Sequence, residues 1–377
     1  MKRAIIACGG TGGHMSPGIA LAEELTSRNW NCTLLISNKQ VDSRLVKKYR
    51  DFDYETVDGR PFSIRPNRLV LFLISLVRGT IKCTRMIHAK KPDVVIGFGG
   101  FLSMPAMLAG FLAGLPTVIH EANRVAGRVT RIVSWFARRI YLPKGVSVRT
   151  KRSSRIRYVG MPVRNEIVSQ SKSAAKRKLG LDPRLNLLVI MGGSQGAESL
   201  NKWVKASLPI LAQKEVQVFC LTGGGTEADS SMTFKSPKGT VVRSLFRRFS
   251  DDMATVLSAA DLVVSRSGAG SIAEMMRCRA PGILIPFPFS ADDHQVENAK
   301  NFESLGCGIH MSQDYIGDLL KEVQDVLFNE WLMQKFRHNL ELADRADVRS
   351  FMANDLERIV SGNGLSMAAR TEQRLRT

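Results

Sequence analysis

The feature that most constrains this chain is a glycine cluster set directly behind a short, wholly apolar run, and the pattern occurs in both halves. Ala4 to Cys8 leads into Gly9-Gly10-Thr11-Gly12-Gly13-His14, and Leu187 to Met191 leads into Gly192-Gly193-Ser194-Gln195-Gly196. A second pair echoes the first. Asp93-Val94-Val95-Ile96 runs into Gly97-Phe98-Gly99-Gly100, and Asp261-Leu262-Val263-Val264 into Ser265-Arg266-Ser267-Gly268. The spacing differs between the halves, so the repeat is one of plan. Continuous Val, Ile and Leu runs alternating with helical patterns predict parallel sheets covered on both faces. The expected architecture is α/β, with two Rossmann-like domains facing across a cleft into which both sets of glycine loops open.

Glycine lets backbone N–H groups approach an anion, and the helix behind such a loop presents its positive end, so a diphosphate is the natural ligand. One loop alone is weak support, because tight strand-to-helix packing also calls for glycine; four in corresponding places are stronger. After the first loop, Ser16 suits a helix N-cap and Pro17 the first helical position. A dinucleotide fingerprint fits poorly: Gly10-Thr11-Gly12-Gly13-His14-Met15 lacks the third glycine, and Asn38, not an acid, follows the next strand, Thr33 to Ser37. No G-K-[ST] follows a glycine loop, which disfavours a P-loop. His120-Glu121-Ala122-Asn123-Arg124 lacks the second histidine of a zinc-protease helix.

Length and charge set further bounds. A chain of 377 residues, 44% hydrophobic, accommodates two ordinary domains. Its six cysteines show no C-x-x-C pair, which fits a reducing compartment rather than a disulfide framework or cysteine zinc site. The basic start is followed by an apolar run too short for a signal peptide. The net charge of +20 is lopsided: residues 1–162 hold 27 Lys and Arg against 9 Asp and Glu, and the rest hold 27 against 25. A single domain therefore faces an anionic surface. Leu69 to Val77 reads LVLFLISLV, with Arg65, Arg68, Arg78, Lys82, Arg85, Lys90 and Lys91 around it. That run is too short to span a bilayer, which needs about 20 residues, but it suits a basic helix lying in the interface of an anionic membrane. The alternative is a core-facing helix with a solvated basic face; the charge asymmetry favours the membrane. No zinc-finger spacing, RNP motif or helix-turn-helix accompanies the charge, so nucleic acid is not expected as a partner.

The motifs GGTGGHMSP (Gly9 to Pro17), GFGGFLSMP (Gly97 to Pro105), HEANRVAG (His120 to Gly127), MPVR (Met161 to Arg164), GGSQGA (Gly192 to Ala197), SRSGAGSIAE (Ser265 to Glu274) and DDHQVENA (Asp292 to Ala299) together resemble the MurG transferases of peptidoglycan synthesis. The sequence departs from that family at Phe101, Ala122 and Met161, where tyrosine, glutamine and asparagine are usual. The resemblance implies a GT-B fold and transfer of N-acetylglucosamine from its UDP donor to a lipid-linked muramyl-peptide acceptor at the cytoplasmic face of the cell membrane. It implies an N-terminal acceptor domain (1–162), a donor domain (163–344), a helix near 345–360 packing back on the first domain, and a flexible tail (361–377). Gly160 to Arg164 reads as the hinge. No cofactor or metal is expected, helix dipoles replacing the divalent ion.

Expected donor contacts are Ser194, Gly268, Ala269, Gly270 and Ser271 at the diphosphate, Glu274 at the ribose, and His294, Gln295 and Asn298 at the sugar. Arg164 suits a phosphate. Thr11, Gly12, Gly13 and Asn123 are expected to position the acceptor, Gly9 to His14 meeting its lipid diphosphate. His14, His120 and Glu121 are the catalytic candidates, and which histidine takes the proton stays open. For each group a purely structural role competes: helix start, packing glycine, or surface charge. A non-hydrolysing UDP-sugar epimerase of the same two-domain fold is the alternative activity; it has no need of a membrane-facing segment.

Overall fold

The computed structural model describes residues 1–10, 12–37, 46–57, 59–60, 66–193, 196–224, 228–344 and 347–362. Thr11, Asn38, Arg65, Ser194, Gln195 and the tail from 363 lie outside the described residues. The chain divides into two compact units, Met1–Arg164 with the segment from Asp347, and Asn165–Ala346.

The first unit holds a seven-stranded sheet built from β1 (Arg3–Ala7), β2 (Asn31–Ile36), β3 (Asp53–Thr56), β4 (Val94–Gly97), β5 (Thr117–His120), β6 (Arg139–Leu142) and β7 (Ile156–Tyr158). Its order is β3-β2-β1-β4-β5-β6-β7, with every pair parallel. Among the described helices are α1 (Gly12–Ser27), α2 (Pro66–Lys90), α3 (Gly100–Leu112) and α4 (Arg128–Val133). Apolar clusters lie on both faces: Ile6, Leu34 and Ile96 pack with α1, and Ile5, Val95 and Ile119 pack with α2, α3 and α4. Burial on both faces is what the uninterrupted apolar runs require.

The second unit contains β8 (Asn186–Met191), β9 (Val216–Leu221), β10 (Ser230–Lys235), β11 (Val241–Arg247), β12 (Leu262–Ser265), β13 (Gly282–Leu284) and β14 (Gly308–His310), ordered β10-β11-β9-β8-β12-β13-β14. Its helices include α5 (Lys172–Lys178), α6 (Glu198–Gln213), α7 (Met253–Ala259), α8 (Ala269–Arg277), α9 (His294–Ser304), α10 (Leu319–Leu327) and α11 (Glu330–Ala343). A final helix, α12 (Val348–Val360), belongs to the first unit, where Met352, Leu356 and Ile359 join the core cluster of α1.

Two expectations need correction. Helix α1 begins at Gly12 and carries Pro17 inside it, so Ser16 and Pro17 do not open it. Gly10 turns the chain at φ +104°, which lets the glycine segment itself wind into the first turn. The second sheet is not wholly parallel either, since β10 pairs antiparallel with β11. Their link, residues 236–240, is far shorter than the dozen or so residues a parallel crossover needs. Ser236 and Thr240 close it by a backbone bond of 2.9 Å, with Gly239 at φ +82°.

Candidate active site

In the first unit the strand order reverses between β1 and β4, which run in register from Ala4 opposite Val94 to Ala7 opposite Gly97. The loops behind these strands therefore leave the sheet side by side, at the point where such folds bind ligands. The Phe98 N–H donates to the Ala7 carbonyl at 3.0 Å. The Ser103 hydroxyl lies 3.1 Å from the same carbonyl and 2.5 Å from that of Gly99. Gly9 is a packing residue: a Cβ there would fall 2.5 Å from Ile36 Cα. Gly12, Gly13 and His14 form the first turn of α1, whose leading N–H groups lack intrahelical acceptors.

His14 is the meeting point of the two loops. Its half-buried imidazole lies against Gly99 and Gly100, where added Cβ atoms would come within 3.5 Å of Nε2 and 3.1 Å of Nδ1. Those glycines stand at φ +83° and +71°. His120, at the end of β5, differs in every respect. It is 1% exposed, stacks beside Phe98 at 5.3 Å, and its Nε2–H donates to the Gly160 carbonyl at 3.0 Å. Burial pushes its pKa below the ordinary 6.5.

Glu121 is a clasp. Its Oε1 accepts from the N–H groups of Ala122 and Asn123 and from the Asn123 amide, at 3.1, 3.0 and 3.0 Å. Its Oε2 accepts from the Gly127 N–H at 2.8 Å and the Thr130 hydroxyl at 2.9 Å. A carboxylate offers about four lone-pair positions, and these donors occupy them, so Glu121 braces its own loop. The same bonds fix the Asn123 side chain. Arg164 is buried, and its guanidinium donates to the Tyr49 hydroxyl at 3.0 Å.

The second unit repeats the plan. Its strand order reverses between β8 and β12, in register from Leu188 opposite Leu262 to Met191 opposite Ser265, and the Arg266 N–H donates to the Met191 carbonyl at 3.2 Å. Gly192 and Gly196 are packing residues: Cβ atoms there would lie 2.3 Å from Ala197 N and 2.4 Å from the Thr222 carbonyl. Gly268 caps α8, and the first intrahelical bond runs from Ile272 N–H to its carbonyl at 3.1 Å. The N–H groups of Ala269, Gly270 and Ser271 precede that bond and carry the positive end of the helix. Glu274 lies half-buried one turn further on.

Ser267 ties α8 to α9. Its hydroxyl donates to the Gln295 carbonyl at 2.7 Å, and its carbonyl accepts from the buried Asn298 amide at 3.0 Å. Asn298 is thus a strut between the two loops. Gln295 Oε1 accepts from the Phe287 N–H at 2.9 Å, which fixes the orientation of its amide. The His294 Nδ1 proton goes to the Ala291 carbonyl at 2.7 Å, leaving Nε2 as an acceptor in the neutral ring. Asp292 and Asp293 take left-handed φ of 51° and 52°, a costly pair of conformations that turns the chain into α9. Among the described residues no group of three or more His, Cys, Asp or Glu is placed to hold a metal ion.

Residues 4–142 match the glycosyltransferase family 28 N-terminal domain, and residues 187–347 its C-terminal domain. A protein of Opitutus terrae named UDP-N-acetylglucosamine--N-acetylmuramyl-(pentapeptide) pyrophosphoryl-undecaprenol N-acetylglucosamine transferase is 46% identical over 97% of both chains. The chain belongs to the MurG family. A transferase of the same name from Prochlorococcus marinus is 32% identical over 91% of this chain and 96% of its own. MurG of Acinetobacter baumannii superposes with a TM-score of 0.70 at 21% identity, covering 94% of this chain and 99% of that one. The calicheamicin glycosyltransferase CalG4 gives 0.66 at 14%, covering 96% and 98%. Both likenesses speak for the GT-B fold alone.

Two features of this site are not visible in the sequence. The buried Arg266 fork reads in sequence as one more surface cation between serines. Ser267 reads in sequence as part of the Ser267 to Ser271 loop expected at the diphosphate, whereas its hydroxyl donates to the Gln295 carbonyl.

Proposed function

We propose that this enzyme is an inverting, metal-independent transferase that moves N-acetylglucosamine from UDP-N-acetylglucosamine to a lipid-linked N-acetylmuramyl-peptide, converting lipid I to lipid II in peptidoglycan synthesis. The observation that carries this reading is the 46% identity over 97% of both chains to the Opitutus terrae transferase. The acceptor hydroxyl oxygen bonds to the anomeric carbon as the bond from that carbon to the β-phosphate oxygen breaks. The bonding pair leaves with UDP, and the hydroxyl proton passes to His14. The N–H groups of Ala269, Gly270 and Ser271 stabilise the leaving diphosphate, with Ser194 and Gly193 of the neighbouring loop. Glu274 accepts the ribose hydroxyls, and His294 and Gln295 read the sugar. Glu121 and His120 hold the Asn123 loop, and Asn123, Thr11, Gly12 and Gly13 seat the acceptor with Arg164.

The acceptor is reached from the membrane surface. Helix α2 exposes Val70, Leu71, Leu73, Ile74, Val77 and Ile81, beyond which α3 and α4 add Phe111, Leu112 and Ile132. Between Gly59 and Pro162 the only acids are Asp93 and Glu121. Asp93 accepts from the Arg3 N–H, and Glu121 is spent inside its loop. No described helix is long and apolar enough to cross a bilayer. In this reading the enzyme lies peripherally on the cytoplasmic face of the membrane, and the exposed apolar residues beside the cations support anionic lipid over nucleic acid as their partner.

The test is incubation with UDP-N-acetylglucosamine and a short-chain lipid-linked muramyl-peptide without added divalent metal. UDP release that depends on the acceptor is expected. Its absence would sink the reading, and acceptor-independent conversion of the UDP-sugar to its epimer would replace it with the epimerase.

A further inference from the structure

Arg266 is 8% exposed, and each of its guanidinium contacts is neutral. Nη1 donates to the carbonyls of Ile285 at 3.2 Å and Pro286 at 2.9 Å. Nη2 donates to the Ser199 hydroxyl at 3.2 Å and to Gln313 Oε1 at 2.5 Å. The Phe287 ring faces the cation at 5.6 Å. Among the described residues no carboxylate pairs with it. The contrast within this molecule is plain, since buried Arg139 is matched by Asp355 and buried Lys176 by Asp261.

Burying a cation without an anion carries a desolvation cost that hydrogen bonds to neutral dipoles offset only in part. Protein interiors rarely keep such a charge for packing alone. What Arg266 adjoins supplies the reason. It stands between the end of β12 and the Gly268 cap of α8, it bonds Ser199 in the first turn of α6, and it backs Phe287, whose N–H is clamped by Gln295. One buried positive charge thus bonds the start of α6, directly precedes α8 in the chain, and reaches the start of α9 through Phe287 and Gln295. One of these, α8, is the helix whose first turn carries the diphosphate in the reading above, and α6 follows the loop of Gly193 that joins it there.

We propose that Arg266 is a positioning residue for the donor: its charge is left without a protein anion because the nucleotide's diphosphate is its counter-charge, acting across the loop backbone and not by contact. The inference rests on the assignment of UDP to this unit. Free of donor, the site is held at a positive potential. With UDP bound the charges balance, and the same fork keeps the α6, α8 and α9 starts in register around the phosphates.

Equilibrium binding of UDP and of uridine to the full chain and to Arg266→Gln and Arg266→Lys tests this, because only UDP carries the diphosphate. Arg266→Gln is expected to weaken UDP at least tenfold while uridine changes by less than threefold. Arg266→Lys, which keeps the charge and loses the fork, is expected to hold the ratio of UDP to uridine affinity within threefold of the parent. Equal losses for both ligands in Arg266→Gln would overturn the proposal in favour of a purely architectural arginine. Should that variant not fold, a tenfold collapse of the ratio in Arg266→Lys would overturn it, and a preserved ratio would support it. Failure of the parent chain to bind either ligand is a different result, and it counts against the donor assignment itself.

Discussion

His14 and His120 carry the same imidazole into opposite settings. The first sits half-exposed in an opening helical turn against two glycines; the second is sealed beside Phe98 with its proton committed to Gly160. His14→Ala is therefore expected to lower kcat by about 10² or more with the short-chain acceptor, as loss of a general base does. A rise in KM at constant kcat, read from initial rates, would make it a binding residue instead. His120 acts on stability. Its folded pKa lies below the unfolded value near 6.5, so the unfolded chain takes up the proton first. Its contribution is intact above pH 6.5 and is lost as pH falls through the folded pKa. Denaturant midpoints measured between about pH 7 and pH 5 should fall less steeply in His120→Gln than in the parent. Neither setting was legible in the motifs. HEANRVAG shows a histidine beside a carboxylate, but only three dimensions reveal that Gly127 and Thr130 return to fill the second oxygen of Glu121. The strands were legible because buried parallel strands leave an unbroken apolar record.

Helix α12 shows what an element adds that its own sequence does not announce. It crosses into the first unit by chain order alone, and there Asp355 meets Arg139 at 2.6 Å and the Tyr141 hydroxyl at 2.8 Å, all three buried. Burial, and then the same carboxylate, push the tyrosine's pKa well up, which keeps it a neutral donor. Removing one partner of a buried ion pair typically costs about 3–5 kcal/mol, because the other charge stays desolvated. Asp355→Ala should cost that much in chemical denaturation and should expose α12 to limited proteolysis; a loss below about 1 kcal/mol would mean that Met352, Leu356 and Ile359 dock the helix unaided. The residues of α12 read in sequence as one more amphipathic helix, and its partner strand β6 lies more than 200 positions away by chain, at separations of 214 and 216. The start of α1 departs from its local signal for the converse reason: Ser16-Pro17 is a strong cap pair, and a glycine turn at positive φ overrides it.

At the scale of the molecule, charge and apolar surface are placed together. The basic unit is also the unit that exposes the apolar residues of α2, whereas the other carries near balance. Binding to vesicles containing anionic phospholipid is expected to fall at least tenfold between about 50 and 500 mM salt, as screening shortens the reach of the cations. Val70→Glu with Val77→Glu should release the protein from vesicles at low salt without changing kcat on a water-soluble acceptor; retention on vesicles in a sedimentation assay would remove α2 from the contact. The glycines carry a last consequence, for how such genes decay. Gly9, Gly192 and Gly196 are demanded by neighbouring backbone, whatever the site holds. Gly268 has an ordinary φ of −65° and open space around its missing Cβ. A duplicated copy that had lost its chemistry but still folded would keep the first three and let the fourth drift. A sequence bearing GGSQGA beside a substituted Gly268 would mark a silent descendant rather than a working transferase.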